Sequence, residues 1–263
     1  MPRNPDDPSL PGWLLYRFFH VPRNALRQRN AEFLLYLLVG RRVCAGPFAG
    51  LRYVGSSPNP RISPALLGTY ELEINPFLER LLAQEFDVFV DIGAAEGYYA
   101  AGFARFGRVP RVIAYEGDRL GRVLTRFMGR RNGVAPKLDL RGLCESGALA
   151  ETLAPFRRPA LLVDIEGLEG EMLDPVLNPH LTRAAMLVEL HENEVPMADL
   201  LRSRFASTHA IEEVWSRPRT SGDLPKRLGL ARWFFSRDRL LRFADETRGR
   251  QMRWWLLTPR NPA

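Results

Sequence analysis

From residue 86 onward, short apolar runs alternate with longer amphipathic stretches. "FDVFVDIG" (86–93), "RVIAYEG" (111–117), the weaker "KLDLRG" (137–142), "PALLVDIEG" (159–167) and "AAMLVELHE" (184–192) each have the length and composition of a buried strand. Between them, "GRVLTRFMGRRNG" (121–133) and "GALAETLAPF" (147–156) carry helical periodicity. Apolar strands separated by helices predict parallel βαβ units. The expected fold is therefore α/β, with a doubly wound, Rossmann-like, mostly parallel sheet covered on both faces. Past residue 195 the pattern predicts a helix over "VPMADLLRSRFAS", a strand over "AIEEVWS", a polar loop, an arginine-rich helix and a last strand over "RWWLLTPR". The final pair is expected to add antiparallel strands at the sheet edge.

The first 70 residues follow a different pattern. Residues 1–11 hold four prolines and predict a frayed tail. "WLLYRFF" (13–19) and "FLLYLLV" (33–39) flank a basic stretch and predict two helices broken near Pro22. They form a helical cap on the core, a lid, or an amphipathic surface for a membrane or partner. "GPFAGLRYVGSSPNP" (46–60) is expected as a short strand or loop, and "ALLGTYELEINPFLERLLAQ" (65–84) as a helix leading to the core. The expected division is a tail and cap over 1–70 and a Rossmann-like domain over 71–263.

Composition narrows the classes. Hydrophobic content of 46% and charged content of 25% are those of a globular protein. The net charge is +7 and the pI about 9.9, compatible with nucleic acid, an anionic membrane face or an acidic substrate. Only Lys137 and Lys226 among the 37 basic residues are lysines. That skew reads more simply as a GC-rich coding background than as phosphate recognition. Cys44 and Cys144 stand in no disulfide or zinc spacing and are expected as reduced core thiols. "FLLYLLV" falls far short of the about 20 residues of a membrane-spanning helix, and the first residues lack a secretory pattern. A soluble, cytoplasmic protein is expected. Oligomeric state is not legible.

In doubly wound sheets, ligands bind at the carboxyl ends of the strands. Acids stand at four of those ends: Asp91, Glu116, Asp164 with Glu166, and Glu189 with His191. A charge after an apolar run is costly unless it meets a partner. The first turn, Gly93-x-Ala95-x-Gly97, departs from the Gly-x-Gly-x-x-Gly dinucleotide pattern. An acid two residues ahead of Gly93 would repel a pyrophosphate and attract a cationic ammonium and sulfonium. Small residues at 93, 94, 95 and 97 permit close backbone approach.

"VDIGAAEG" (90–97) resembles motif I of class I S-adenosylmethionine-dependent methyltransferases, where an acid and a glycine-rich turn hold the methionine portion. "VIAYEGD" (112–118) resembles motif II, where an acid binds the ribose hydroxyls. "LLVDIEGLEGEML" and "LVELHE" resemble the fourth and fifth strand ends of the FkbM-type branch. The resemblance spans about residues 86–195, with a weaker likeness at "GTYELE". It implies S-adenosylmethionine as cofactor, held by Asp91, Gly93, Ala95, Glu96, Gly97, Glu116 and Asp164. The third strand end, "LDLRGLCES", lacks the Asp expected for the adenine amino group. Glu145 either takes that role or is a helix-start acid.

For a hydroxyl acceptor, His191 is the first candidate base and Asp164 the second. Asp164, Glu189 and His191 could instead hold a divalent ion, although no metal-defining spacing is present and none is expected. His20, His180 and His209 belong to no such constellation. The leading expectation is O-methylation of a small molecule, sugar or natural product bearing a hydroxyl. Three alternatives stay open. A nucleic-acid methyltransferase is suggested by the pI and "RWFFSRDRLLRF", but the Asn/Asp-Pro-Pro-aromatic element of exocyclic-amine methylation is absent. A non-catalytic cofactor-binding scaffold and a dehydrogenase are the others.

Overall fold

The protein is described by a computed structural model covering residues 23–55, 61–191, 196–247, 249 and 251–261. The first expected helix, at 13–19, and His20 lie outside the described residues. The described chain begins with α1 (Arg23–Leu38), α2 (Ser63–Leu67) and α3 (Asn75–Ala83). Alternation follows: β1 (Val88–Ile92), α4 (Tyr98–Phe106), β2 (Val112–Tyr115), α5 (Arg119–Arg131), β3 (Leu138–Arg141), α6 (Ser146–Leu153), β4 (Pro159–Val163), α7 (Glu169–Met172) and β5 (Ala185–Leu190). Then come α8 (Met197–Phe205), β6 (His209–Trp215), α9 (Ala231–Phe234), α10 (Arg237–Ala244) and β7 (Arg253–Pro259).

The sheet order is β3-β2-β1-β4-β5-β7-β6. Strands β1 to β5 pair in parallel, and β7 runs antiparallel to both β5 and β6. This is the doubly wound, mostly parallel sheet expected from the alternating runs. One detail differs from expectation: only β7 is reversed, because it inserts between β5 and β6 and so turns β6 back to the common direction. β1, β2, β4 and β5 are buried along their whole length. Their uninterrupted apolar composition follows from helices covering both faces.

The helix expected over 65–84 is broken. α2 stops at Gly68, whose backbone is left-handed (φ 76°), and Glu71 is left-handed as well (φ 45°). Pro76 then sits in the first turn of α3, where its missing amide is harmless. Of the strand or loop expected at 46–60, the described part, 46–55, is a loop with one isolated bridge, Arg42 to Arg52, and 56–60 lie outside the described residues. It is nevertheless core: Phe48, Leu51, Tyr53 and Val54 pack in one cluster with Phe89 of β1 and Phe103 of α4. A second cluster fills the opposite face of the sheet, and a third joins α1 to α2, α10 and residues 228–231.

Register places the site. Ile92 is level with Tyr115 on one side and Val163 on the other, and Val163 is level with Val188. The residues that follow, Gly93, Glu116, Asp164 and Glu189, therefore occupy one rim of the sheet. The order reverses between β1 and β4, which makes that rim the switch-point crevice.

Candidate functional site

The β1–α4 turn is held by backbone. Gly93, Ala95 and Gly97 all adopt positive φ (93°, 48° and 85°), a run that L-residues with larger side chains resist. A Cβ on Gly93 would lie 2.0 Å from the Asp164 carbonyl oxygen, and one on Gly97 would lie 2.7 Å from Thr125 Cγ2. Only glycine fits at either point. The Gly93 and Ala94 amides both donate to the Tyr115 carbonyl at 3.0 Å, and Thr125 Oγ1 donates to the Ala95 carbonyl at 2.9 Å. The turn is thus clamped to β2, β4 and α5.

Asp91 is fully buried, and neither of its carboxylate oxygens has a hydrogen-bond partner among the described residues. Burial raises its pKa to about 7. The Ala100 amide, facing it from the first turn of α4, opposes that rise without completing a hydrogen bond, and the charges of Glu116 and Glu96 add to it. Glu116 accepts the Ala95 amide at 2.6 Å through one oxygen and the Asp118 amide at 2.6 Å through the other. Asp118 caps α5 by accepting from the Gly121 amide. Glu96 is buried and turned to the N-terminal segment, where it accepts a hydrogen bond from Tyr53 Oη. Glu145 stands exposed at the N-cap of α6 and makes no capping hydrogen bond.

Across the crevice the geometry is made by side chains. His191, buried after β5, places Nδ1 2.7 Å from Glu169 Oε1. Its Nε2 lies 3.4 Å from Glu166 Oε2 and 3.9 Å from Asp164 Oδ1. Burial acts to lower the His191 pKa, but the hydrogen bond and charge of Glu169, with the charges of Glu189 and Glu166, outweigh it and hold the imidazole above its ordinary value. Glu71 and Glu189 reach the same place from other elements: each offers a carboxylate oxygen within 4.8 Å of the other and of Asp164. Asp164, Glu166 and His191 converge to the same degree. Either trio has donors suited to a divalent cation. Glu71 also accepts from Tyr99 Oη, while its own amide donates to Glu246 Oε1 at 2.8 Å. The buried Arg219 ties this segment down, binding Glu246, Glu73 Oε2 (2.7 Å) and the Thr69 carbonyl (3.0 Å).

The expected residues thus divide. Gly93, Ala95 and Gly97 form the turn after Asp91, and Glu116 at the end of β2 meets it through the Ala95 amide, while Asp164 and His191 meet each other 3.9 Å apart on the facing side. Glu96 accepts from Tyr53 while its charge still acts on Asp91, and Glu145 stands exposed at the start of α6. His209 is a buried structural residue bonded to the Ala184 carbonyl and to Thr208. Burial pushes the Cys44 and Cys144 thiols up to about 11 and 12, in keeping with inert thiols. Glu169 and Glu71 were missed. Glu169 sits in "GLEGEML", where it reads as a surface helix acid, and Glu71 sits in the likeness "GTYELE", which singled out no residue.

No family model and no curated protein matches the chain. The FkbM-type likeness therefore rests on the strand-end residues alone. Solved structures do match. A precorrin 8W decarboxylase from Methanobacterium thermoautotrophicum is 17% identical with a TM-score of 0.43, covering 69% of this chain and 87% of that one. The precorrin-6y C5,15-methyltransferase from Geobacter metallireducens is 15% identical, with a TM-score of 0.41 over 52% and 70%. The m1A22 tRNA methyltransferase of B. subtilis is 10% identical, with a TM-score of 0.42 over 68% and 62%. Likenesses this distant say nothing of substrate or reaction. The fold stands on the strand order and register above.

Proposed function

We propose that the chain is an S-adenosylmethionine-dependent methyltransferase acting on a hydroxyl of a small molecule, sugar or natural product. The observation that carries this reading is Asp91, a buried carboxylate with no hydrogen-bond partner among the described residues, beneath a turn in which Gly93 leaves no room for a Cβ. A buried anion without a partner is expensive, and a cationic ligand seated on the turn would relieve it. The residues fit that cofactor. Asp91 favours its positive charge, the Gly93–Gly97 turn admits it close to backbone, and Glu116 lies where ribose hydroxyls would compete with the Ala95 and Asp118 amides. When bound, S-adenosylmethionine supplies an activated methyl group for in-line displacement.

The protein's own residues account for the acceptor. Glu169 holds the Nδ1–H tautomer of His191, directing Nε2 toward the crevice, where it can take the hydroxyl proton as the new O–C bond forms. Asp164 is the second base, and Glu71 and Glu189 are polar walls for the acceptor. Glu145 is retained as the candidate for the adenine amino group. A nucleic-acid acceptor is the second reading, favoured by the net charge of +7. Incubation with S-adenosylmethionine bearing a labelled methyl group, against hydroxylated small molecules in parallel with total tRNA, tests both. Label on a hydroxyl oxygen of a small molecule supports the first reading. Label on tRNA alone replaces it with the second.

A further inference from the structure

The cap carries a surface that the crevice does not use. On α1, Ala31, Leu35 and Leu38 face the cluster shared with Leu228 and Ala231. Phe33, Leu34 and Leu37 lie on another face of the same helix and are exposed, Phe33 by 53%. A helix that is apolar on its solvent side as well as its packed side calls for a second apolar neighbour. Residues 228–234 run beside the C-terminal end of α1: the Leu230 amide donates to the Leu38 carbonyl at 3.3 Å, and Gly229 packs on the Leu38–Val39 backbone. From there Leu230, Trp233 and Phe234 are also exposed, by 60%, 76% and 63%. Two adjoining elements, α1 of the cap and residues 228–234, thus present exposed aromatic and leucine side chains.

The surrounding charge is mostly positive. Residues 226–242 contain six basic residues and one acid, Asp238. Arg29, Arg41 and Arg42 add exposed positive charge at α1, whose acid, Glu32, is buried and paired with Arg61. The Arg232 guanidinium lies 5.2 Å from the centroid of the Trp233 ring, keeping a cation at the rim of the apolar patch. Among the described residues no helix is long and apolar enough to cross a membrane.

We infer that this face docks the protein onto an anionic lipid surface, with Phe33, Leu34, Leu37, Leu230, Trp233 and Phe234 entering the interface and the surrounding arginines meeting the headgroups. Apolar side chains ringed by arginine are what such an interface takes up. Three of the six are leucines, which cannot stack on bases, so single-stranded nucleic acid explains half of the patch. A second copy would bring like charges together. The inference stands independently of the reaction in the crevice.

Sedimentation of the full chain with phosphatidylcholine vesicles, with and without phosphatidylglycerol, tests it. The wild type should sediment with the anionic vesicles only and be released by raised salt. Trp233→Ser with Phe234→Ser should lower partition about tenfold at an unchanged thermal midpoint, since both side chains are exposed. Arg232→Glu with Arg237→Glu should do the same through charge. Failure of the wild type to bind anionic vesicles, or wild-type binding by both variants, overturns the inference. So does tighter, Trp233-dependent binding to a single-stranded RNA oligomer than to vesicles, which would assign the face to nucleic acid.

Discussion

The two walls of the crevice are built on different principles. On the β1 side, position is set by main chain: three left-handed residues, a carbonyl 2.0 Å from any Cβ at Gly93, and one buried carboxylate with no hydrogen-bond partner among the described residues. On the β4–β5 side, position is set by side chains, with Glu169, Glu166 and Asp164 arrayed around one imidazole. On the function proposed above, the first wall would be a rigid seat for a ligand of fixed shape and positive charge. The second is a set of proton acceptors whose properties depend on one another. If the proposed methyl transfer holds, the donor is the same in every reaction whereas the acceptor differs, and the walls would divide along that line.

The comparison predicts that the seat fails abruptly. Gly93→Ala forces a methyl group against the Asp164 carbonyl in a left-handed backbone, and should cost about 3 kcal/mol or more of stability. Urea denaturation checks this. A variant as stable as wild type would show that the turn has slack and is no seat.

The facing wall should fail by degrees. His191→Ala should lower turnover about 100- to 1000-fold while S-adenosylhomocysteine affinity stays within a few-fold. Steady-state kinetics with calorimetry separates the two, and an equal loss in both would make His191 a cofactor residue. Glu169→Gln should cost about tenfold and move the acid limb of the pH–rate profile to lower pH. The sign follows from the cause: Glu169 holds the His191 pKa up, a base works only when deprotonated, and removing the negative charge lets the imidazole lose its proton at lower pH. An unmoved limb would leave Glu169 a packing residue.

The unequal legibility of the walls has a physical origin. A parallel strand buried on both faces needs an unbroken apolar run, so an acid near its end, as Asp91, or directly after it, as Asp164, stands out, and the glycines show where backbone must turn left-handed. His191 was visible for the same reason. Glu169 was not, because nothing in "GLEGEML" distinguishes a carboxylate folded back on a histidine 22 residues later from one in solvent. Glu71 was hidden in a stretch read as continuous helix. Its place depends on the breaks at Gly68 and Glu71 and on the grip of Arg219, a contact across 150 residues. Glu96 was placed with the cofactor by its position in the motif; its side chain also bonds to Tyr53, a contact the motif does not reveal.

The smallest expected effect belongs to Glu145. If it touches the adenine, Glu145→Ala should weaken S-adenosylhomocysteine only a few-fold, because the side chain is exposed. No change by calorimetry would leave it a helix-start acid.

The central claim is that Asp91 is kept buried, and without a hydrogen-bond partner among the described residues, to meet a cation. Its pKa of about 7 means that in the free protein it is half protonated near neutrality. Folding therefore favours its neutral form, and its contribution to stability is lost as pH rises from the unfolded carboxylate range through about 7. Ligand binding has the opposite sign, since only the deprotonated form attracts the ligand. The decisive measurement is titration calorimetry of S-adenosylhomocysteine, with NAD as control, on wild type and Asp91→Asn from pH 5.5 to 8.5. The account predicts wild-type affinity that falls about tenfold per unit below pH 7, a proton released on binding, and an Asn variant about 30- to 100-fold weaker at pH 8 with no such pH dependence. Wild-type affinity in Asp91→Asn, or binding of NAD in place of S-adenosylhomocysteine, would contradict it.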